Sequence, residues 1–481
     1  MILYHYRSIE SALPEVENST FRFASREELN DPMEGYLNIY WQGDRAAWEG
    51  LFRNYVCSVY QAIEFYLLRA DIDMLQHNTL LTDMGRFDDV PLGGVLKKLG
   101  DSFLADEEIQ RLCSIYGDNG LKAEREELQM LLRLIHNKAM EACVQRNLKA
   151  GLVPEEEAQP ILKHLSAGRA RVPAYPYKQA EEAIKSGEWS DEYRQVSMKS
   201  MEEIWEDLTE QLYIKAGLED EDFLYHHGDK KDSKFTEGKA ESRQRRNWLS
   251  VMVDFPRNYM EQLIRMTYPE SFVVCFSARN DNSAMWGNYA DNHRGVCLVY
   301  DMGEEQAIRI GKASSLTQHK VKKVTYGGEP LERNFFESLG RFTMPQIKRW
   351  LTGTGGISSC CKVYSMETDV WREQYWKIFE AKNYRKLTAW AHEEEYRIVI
   401  DNMFYEYSKP ETRILKYDAA ALKGVIFGIN TSEYDKERIV KAIAGRGEMC
   451  EDFVFQQARY HYKKQIIEVR DKALWKLKRH G

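Results

Sequence analysis

Between residues 46 and 214 apolar side chains recur at three- and four-residue intervals, and on both sides of that block the helical period gives way to short apolar runs that read as strands. This change of period constrains the fold most. A face repeating every 3.6 residues buries as a helix, and one repeating every two buries as a strand. Trp48, Phe52, Tyr55, Val56, Val59, Tyr60, Ile63, Tyr66 and Leu67 make one helical stripe. Leu128, Leu131, Leu132, Leu134 and Ile135 make a second, and Met201, Ile204, Trp205, Leu208 and Leu212 a third. Such stripes pack a helical core rather than build a cofactor box. The prolines within 170–176 mark a connector. Segment 228–246 is charged and poor in apolar groups, and reads as an exposed loop leading into a helix. Arg243, Arg245 and Arg246 fit either a solvated charge run or a nucleic-acid contact.

Before the helical block, 2–6 and 20–24 read as strands, followed by a turn at Asn30-Asp31-Pro32. After about residue 248, strands are expected at 272–276, 296–300, 321–326, 396–400, 414–417, 422–427 and 460–469. Helices are expected at 332–339, 344–351, 371–379 and 431–444, the last capped by Thr431 or Ser432. The expected class is therefore α+β, mixed. Residues 1–40 and 251–470 form a split α/β domain, 41–250 a helical insertion, and 471–481 a basic tail.

A chain of 481 residues has room for two or three domains. Lys+Arg 67 against Asp+Glu 75 gives a formal charge of −8, which argues against a general nucleic-acid coat and leaves a local basic patch open. The 8 cysteines are scattered, with Cys360 and Cys361 adjacent. The N-terminus lacks a signal h-region, so reduced thiols in a cytoplasm are expected. No apolar run approaches the ~20 residues that span a bilayer, so no membrane partner is expected.

Polar groups concentrate within 271–300. Ser277, Asp281, Asn282, Tyr289, Asp291 and His293 crowd the ends of apolar strands. A ligand pocket would explain more hydrogen-bonding groups than folding requires. Trp286 fits a packing anchor or a stacking platform. His293 fits a general acid or base, since its free pKa lies near neutrality, or a turn-stabilising residue. Asp31 and Glu34 either face a pocket beside Arg7 or close an Asx turn. His5, His226 and His227 belong to no HExxH, Cys/His quartet or EF-hand loop, and no metal is assigned. The glycines of 353–356 lack the Lys-Ser/Thr of a phosphate loop and read as a flexible connection.

Several motifs come in a fixed order. These are Tyr4-His5-Tyr6-Arg7, the turn from Asn30 to Glu34, Cys275-Phe276-Ser277, Met285-Trp286-Gly287-Asn288-Tyr289, His293-Arg294-Gly295-Val296, and the stretch from Lys386 through Trp390 and Glu395 to Arg397. Together they resemble the bacterial domain-of-unknown-function 2971 family, over residues 1–40 and roughly 270–430. That resemblance implies a bacterial or phage-related protein of a kind met in defence and toxin contexts. It supplies no activity.

A weaker likeness adds one. Arg7 ending a first strand, Ser277 ending a second and Glu393-Glu394-Glu395 opening a third resemble the signature of Arg-Ser-Glu mono-ADP-ribosyltransferases. This likeness implies an ADP-ribosyltransferase-like mixed sheet with NAD as co-substrate. Arg7 would hold the pyrophosphate, because a guanidinium binds phosphate oxygens in pairs. Ser277 would order the ribose, Glu395 would stabilise the oxocarbenium-like centre, and Glu393 would position or deprotonate an acceptor. Tyr6, Phe276, Trp286 or Tyr289 would stack on nicotinamide. The expected function is an NAD-using transferase or NAD glycohydrolase of toxin or anti-phage type, whose helical insertion recognises an unknown protein or nucleic-acid target. The plain alternative pairs Arg7 with Asp31 or Glu34 and leaves Glu393 to Glu395 as a solvated strand start. Two other functions fit as well. One is a non-catalytic sensor of a nucleotide or phage component. The other is a nucleic-acid-processing protein using Arg243 to Arg246 and the basic tail.

Overall fold

The computed structural model describes residues 1–68, 91–169, 177–187, 199, 202–203, 205–206, 209, 246–312, 315–365, 368–404, 406–446 and 453–471. The chain divides into two compact units. One comprises Met1–Leu37, Pro269–Leu331 and Trp376–Gly481; the other comprises Asn38–Tyr268 and Glu332–Tyr375. The helical unit thus takes back a second segment beyond the insertion expected at 41–250. The charged loop up to residue 245 and the tail from 472 lie outside the described residues.

The first unit is built on a mixed sheet of eight strands among the described residues. These are β1 (Ile2–Arg7), β2 (Ser271–Ser277), β3 (Val296–Asp301), β4 (Lys322–Lys323), β5 (Glu395–Asp401), β6 (Leu422–Phe427), β7 (Val454–His461) and β8 (Ile466–Asp471). Their order is β8-β7-β6-β3-β1-β2-β5-β4. The β6–β7 pair is parallel and the other neighbours are antiparallel. Alternating side chains make both faces apolar. On one, Leu3, Phe276, Leu298, Ile398 and Val425 pack with Ala12 and Val16 of α1 (Ile9–Asn18). On the other, Tyr6, Cys297 and Ile426 pack against Met285 and Trp286, which lie on a short helix. Each such side chain removed from water contributes about 1.5–3 kcal/mol.

Two helices of this unit start where their caps predict. In α2 (Ser283–Tyr289) the Asn282 side chain accepts from the Ala284 amide at 2.9 Å. For α3 (Glu433–Ala444) the cap is Ser432, which accepts from the Asp435 amide at 3.1 Å. Thr431, the other expected cap, instead donates its hydroxyl to the Gly295 carbonyl at 2.7 Å.

Several expected elements differ. The strand expected at 460–469 is a hairpin, because Gln465 takes a left-handed φ of 55° and reverses the chain between β7 and β8. The helix expected at 332–339 is a strand, Glu332–Asn334, followed by one 3-10 turn, because Asn334 accepts from the Phe336 amide and starts that turn. A second sheet, unforeseen in part, joins Thr20–Arg22, Ile414–Tyr417, Ala307–Lys312 and Ser315–Lys320.

The second unit is mainly helical. Asp44 caps Arg45–Leu67 by accepting from the Ala47 amide at 3.1 Å. The stripe from Trp48 to Ile63 is buried along this helix, and Leu128, Leu131, Leu132 and Ile135 are buried along Arg125–Lys149. Of the third expected stripe only Trp205 is described, and it is buried. His136 sits within this core. Its Nε2 faces the Val251 carbonyl at 2.9 Å and its Nδ1 faces the Tyr55 hydroxyl at 2.8 Å. A carbonyl only accepts, so Nε2 carries the proton and Nδ1 accepts from Tyr55. The glycine-rich 353–356, expected to be a loose connection, forms a hairpin of Thr352–Gly353 with Gly356–Ile357. The Thr354 amide and hydroxyl donate to the buried Glu49 carboxylate and hold it.

Candidate functional site

The pleat of β1 is matched to β3 at six positions but to β2 at one, Tyr4 with Ser277. Beyond that pair the strands separate. Where strands part, backbone groups need other partners, and His5 supplies one: its Nδ1 donates to the Cys275 carbonyl at 2.6 Å. A pocket of about 210 Å³ opens at this split. Arg7, Ser277, Tyr289, Glu34, Glu393 and Glu395 all line it, as does Tyr6. These residues are drawn from β1, β2, α2, β5 and two connecting segments, so residues far apart in the chain meet at one hollow.

Their approach to it differs. Successive side chains on a strand point to opposite faces. Ser277 and Glu395 are register partners and share the face of Tyr4 and Tyr6, whereas Arg7 follows His5 toward α1. Arg7 Nε donates to Glu15 Oε2 at 3.0 Å, and Tyr300 donates to Glu15 Oε1 at 2.8 Å. Arg7 therefore pairs with Glu15, and with neither Asp31 nor Glu34. Glu15 is fully buried. Burial pushes its carboxyl up, but His5, Arg7 and the Tyr300 bond outweigh that and hold it at about 2.

The carboxylate side of the pocket is a closed ionic cluster. Arg397 donates through Nε to Glu395 Oε1 at 2.7 Å and through a terminal nitrogen to Oε2 at 2.9 Å. This is the fork geometry that suits a guanidinium and a carboxylate. Lys386 Nζ reaches Glu393 Oε2 at 2.7 Å, Glu395 Oε2 at 3.3 Å and Glu34 Oε2 at 3.3 Å. Glu34 also contacts Arg397. All five side chains are at most 5% exposed, so the start of β5 is not the solvated stretch of the plain alternative. Nor does Glu393 share a strand with Glu395. It ends a 3-10 turn, Thr388–Glu393, and the left-handed Glu394 (φ 44°) swings Glu395 round so that both carboxylates face Lys386.

Charge is not shared equally. Burial raises Glu395, but Arg397 and then Lys386 overcome it and keep the group below the usual carboxylate range. Burial lowers Lys386, and Glu395, Glu34 and Glu393 carry it above its usual value. For Glu34 burial wins over Arg397, with the Glu395 charge adding to it, and the carboxyl stands above its usual value. Three carboxylates face two cations, and Glu34 carries the deficit.

Tyr289 closes this side. Its hydroxyl donates to Glu393 Oε1 at 2.6 Å and accepts from Asn30 Nδ2 at 2.6 Å. Burial and then Glu393 raise its pKa. Ser277 Oγ donates to the Glu393 carbonyl at 2.7 Å and accepts from the Arg279 amide at 3.1 Å. Tyr6 donates its hydroxyl to the Arg279 carbonyl at 2.8 Å.

Three expected site residues stand apart from the pocket lining. Trp286 is fully buried, its ring 5.1 Å edge-on from Tyr6 and its Nε1 bonded to the Asn280 carbonyl at 2.8 Å, so it offers no free face for stacking. His293 lies in the turn after α2, stacked on Trp286. Burial lowers its pKa. Asp31 Oδ1 accepts from the Met33 amide at 3.0 Å, the Asx turn of the plain reading. Sequence reasoning gave no role to Lys386, Glu15 or Asn30. Asn30 and Lys386 carried only their place in a motif and Glu15 no signal at all, because partners such as Tyr289 for Asn30, Glu34 for Lys386 and Tyr300 for Glu15 are brought in by the fold.

No helix among the described residues is long and apolar enough to cross a membrane. Comparison with curated proteins and with solved structures gives no match. Residues 285–398, which carry most of α2, β3, the Lys386 segment and the start of β5, match the family described as protein of unknown function (DUF2971), the family that the ordered motifs resemble.

Proposed function

We propose that the pocket at the split between β1 and β2 is the site of an NAD-using enzyme of ADP-ribosyltransferase type. The observation that carries this reading is that Arg7, Ser277, Glu393 and Glu395 line one pocket. A volume of about 210 Å³ suits the nicotinamide–ribose half of the dinucleotide, with the remainder outside. The N-glycosidic bond of NAD would break, its electron pair leaving with nicotinamide. A bond from the ribose anomeric carbon to a water or acceptor oxygen would form, and a carboxylate would take the released proton. With Glu395 forked onto Arg397, Glu393 is the carboxylate better placed for that proton, reached by turning the Tyr289 hydroxyl aside. Incubation of the purified chain with NAD tests this reading. Free nicotinamide is expected, lost in Glu393→Gln and in Arg7→Ala. No turnover with any lysate, and no NAD binding by calorimetry, removes it.

The pairing of Glu395 favours a second reading, a non-catalytic module that binds a small ligand. A carboxylate saturated by two cations holds structure better than it stabilises a transient charge. In that case ligand binding persists in Glu393→Gln and nicotinamide is never released.

A further inference from the structure

Glu34 is 2% exposed and lines the pocket, yet neither of its oxygens accepts a hydrogen bond of good geometry, although both lie within ion-pair reach of Lys386 and Arg397. Every other carboxylate of the cluster accepts directed bonds. Glu393 takes Tyr289 and Lys386, and Glu395 takes both Arg397 nitrogens. One negative charge is left over in a buried place, where an uncompensated ion is costly. Two agents can neutralise it: a proton on Glu34, or a cation from the pocket.

The walls define what kind of cation. Among the described residues no cluster suited to a metal occurs. The residues lining the pocket include Tyr4, Tyr6 and Tyr289, and aromatic faces attract organic cations. The other cations on the pocket are already matched. Arg7 is held by Glu15, and Arg22 by Glu28. From these observations we propose that the pocket binds a small organic cation, its positive charge seated against Glu34 in place of a proton. The seat uses the same pocket as the NAD reading and does not depend on that chemistry.

The groups facing Glu34 are Lys386, Arg397, Glu395 and the Cys275 thiol, which burial keeps protonated. Burial and the Glu395 charge hold Glu34 protonated above the usual carboxylate range. A cation must displace that proton, so binding strengthens as pH rises through the Glu34 titration and then levels.

Benzamidine, a planar cation, and benzamide, its neutral isostere, are suitable probes for calorimetry on the full chain. Benzamidine is expected to bind, and more tightly at about pH 8 than at about pH 5, with benzamide undetected. Glu34→Gln balances the cluster at two charges of each sign, so it should fold, and should weaken benzamidine at least ~tenfold. Equal binding of the two probes, no binding of either, or an unchanged affinity in Glu34→Gln would each overturn the proposal. Nicotinamide release is a separate readout. Turnover without benzamidine binding sinks the cation seat alone, and benzamidine binding without turnover sinks the NAD reading alone.

Discussion

Ser277 and Glu395 stand directly opposite each other across β2 and β5, yet no bond joins their side chains. Ser277 turns to the Glu393 carbonyl, and Glu395 closes on Arg397. The serine therefore fixes the loop that carries the second carboxylate, while the glutamate fixes the cation beneath it. The two residues that a short motif would pair as catalyst and assistant are joined through their neighbours.

Arg397 is the group on which that arrangement depends. It is 1% exposed and bonds Glu395 twice and the Asn383 carbonyl once, at 2.9 Å. Removing one partner of a buried ion pair strands the other and costs about 3–5 kcal/mol. Arg397→Met should lower the stability of the sheet unit by that order in urea, with the helical unit's transition unmoved. A loss below ~1 kcal/mol would mean that the cluster is hydrated and the pair worth little.

How much of this was legible follows from what each feature depends on. The helical stripes announce themselves by period and the strands β1, β2, β3, β5 and β6 by short apolar runs, because the sheet is buried on both faces. Gly295 was legible as a motif residue but not as to its reason. A Cβ there would stand 2.1 Å from the Arg7 carbonyl, so the glycine lets β3 and its turn approach β1. Just before it Asp291, Asn292 and His293 all take positive φ, which these residue types tolerate better than most, and the run is held as the Asn292 and His293 amides donate to the Gly287 and Trp286 carbonyls and the Asn430 amide donates to the His293 carbonyl. The choice of Glu15 as the partner of Arg7 depended on α1 lying across β1. It was hidden for the same reason: the two residues are near in sequence but meet only after the helix docks.

Acid should weaken the two units in separate windows. His136 is fully buried and lowered to about 4 from 6.5, by burial against the Val251 bond. A histidine depressed in the folded state contributes stability that is complete above 6.5 and lost as pH falls toward 4. Glu15 is depressed from 4.5 to about 2, so its contribution is complete above 4.5 and lost as pH falls toward 2. Each shift corresponds to roughly 3 kcal/mol. Denaturant melts across this range should show the helical unit losing stability first. His136→Gln should flatten the upper limb and Glu15→Gln the lower. A single acid limb unmoved by either variant would contradict both assignments.

The bond pair through Tyr289 ties three segments of the sheet unit together: Asn30 from the first turn, α2, and the end of the 3-10 turn at Glu393. Tyr289→Phe removes the donor to a buried carboxylate and the acceptor of Asn30. A directed bond to a charged group is worth about 1.5–3 kcal/mol, and Asn30→Ala, at the exposed end, should cost less. If the hydroxyl truly couples the two ends, the double variant Asn30→Ala/Tyr289→Phe should cost less than the sum of the singles by about 0.5–1.5 kcal/mol. Strict additivity, within ~0.3 kcal/mol, would show that Asn30 does not bond Tyr289 in solution. The pocket should respond too. Without the phenol Glu393 Oε1 has lost its donor, so a ligand able to donate there should bind the Phe variant more tightly than the parent, and one without a donor should not distinguish them.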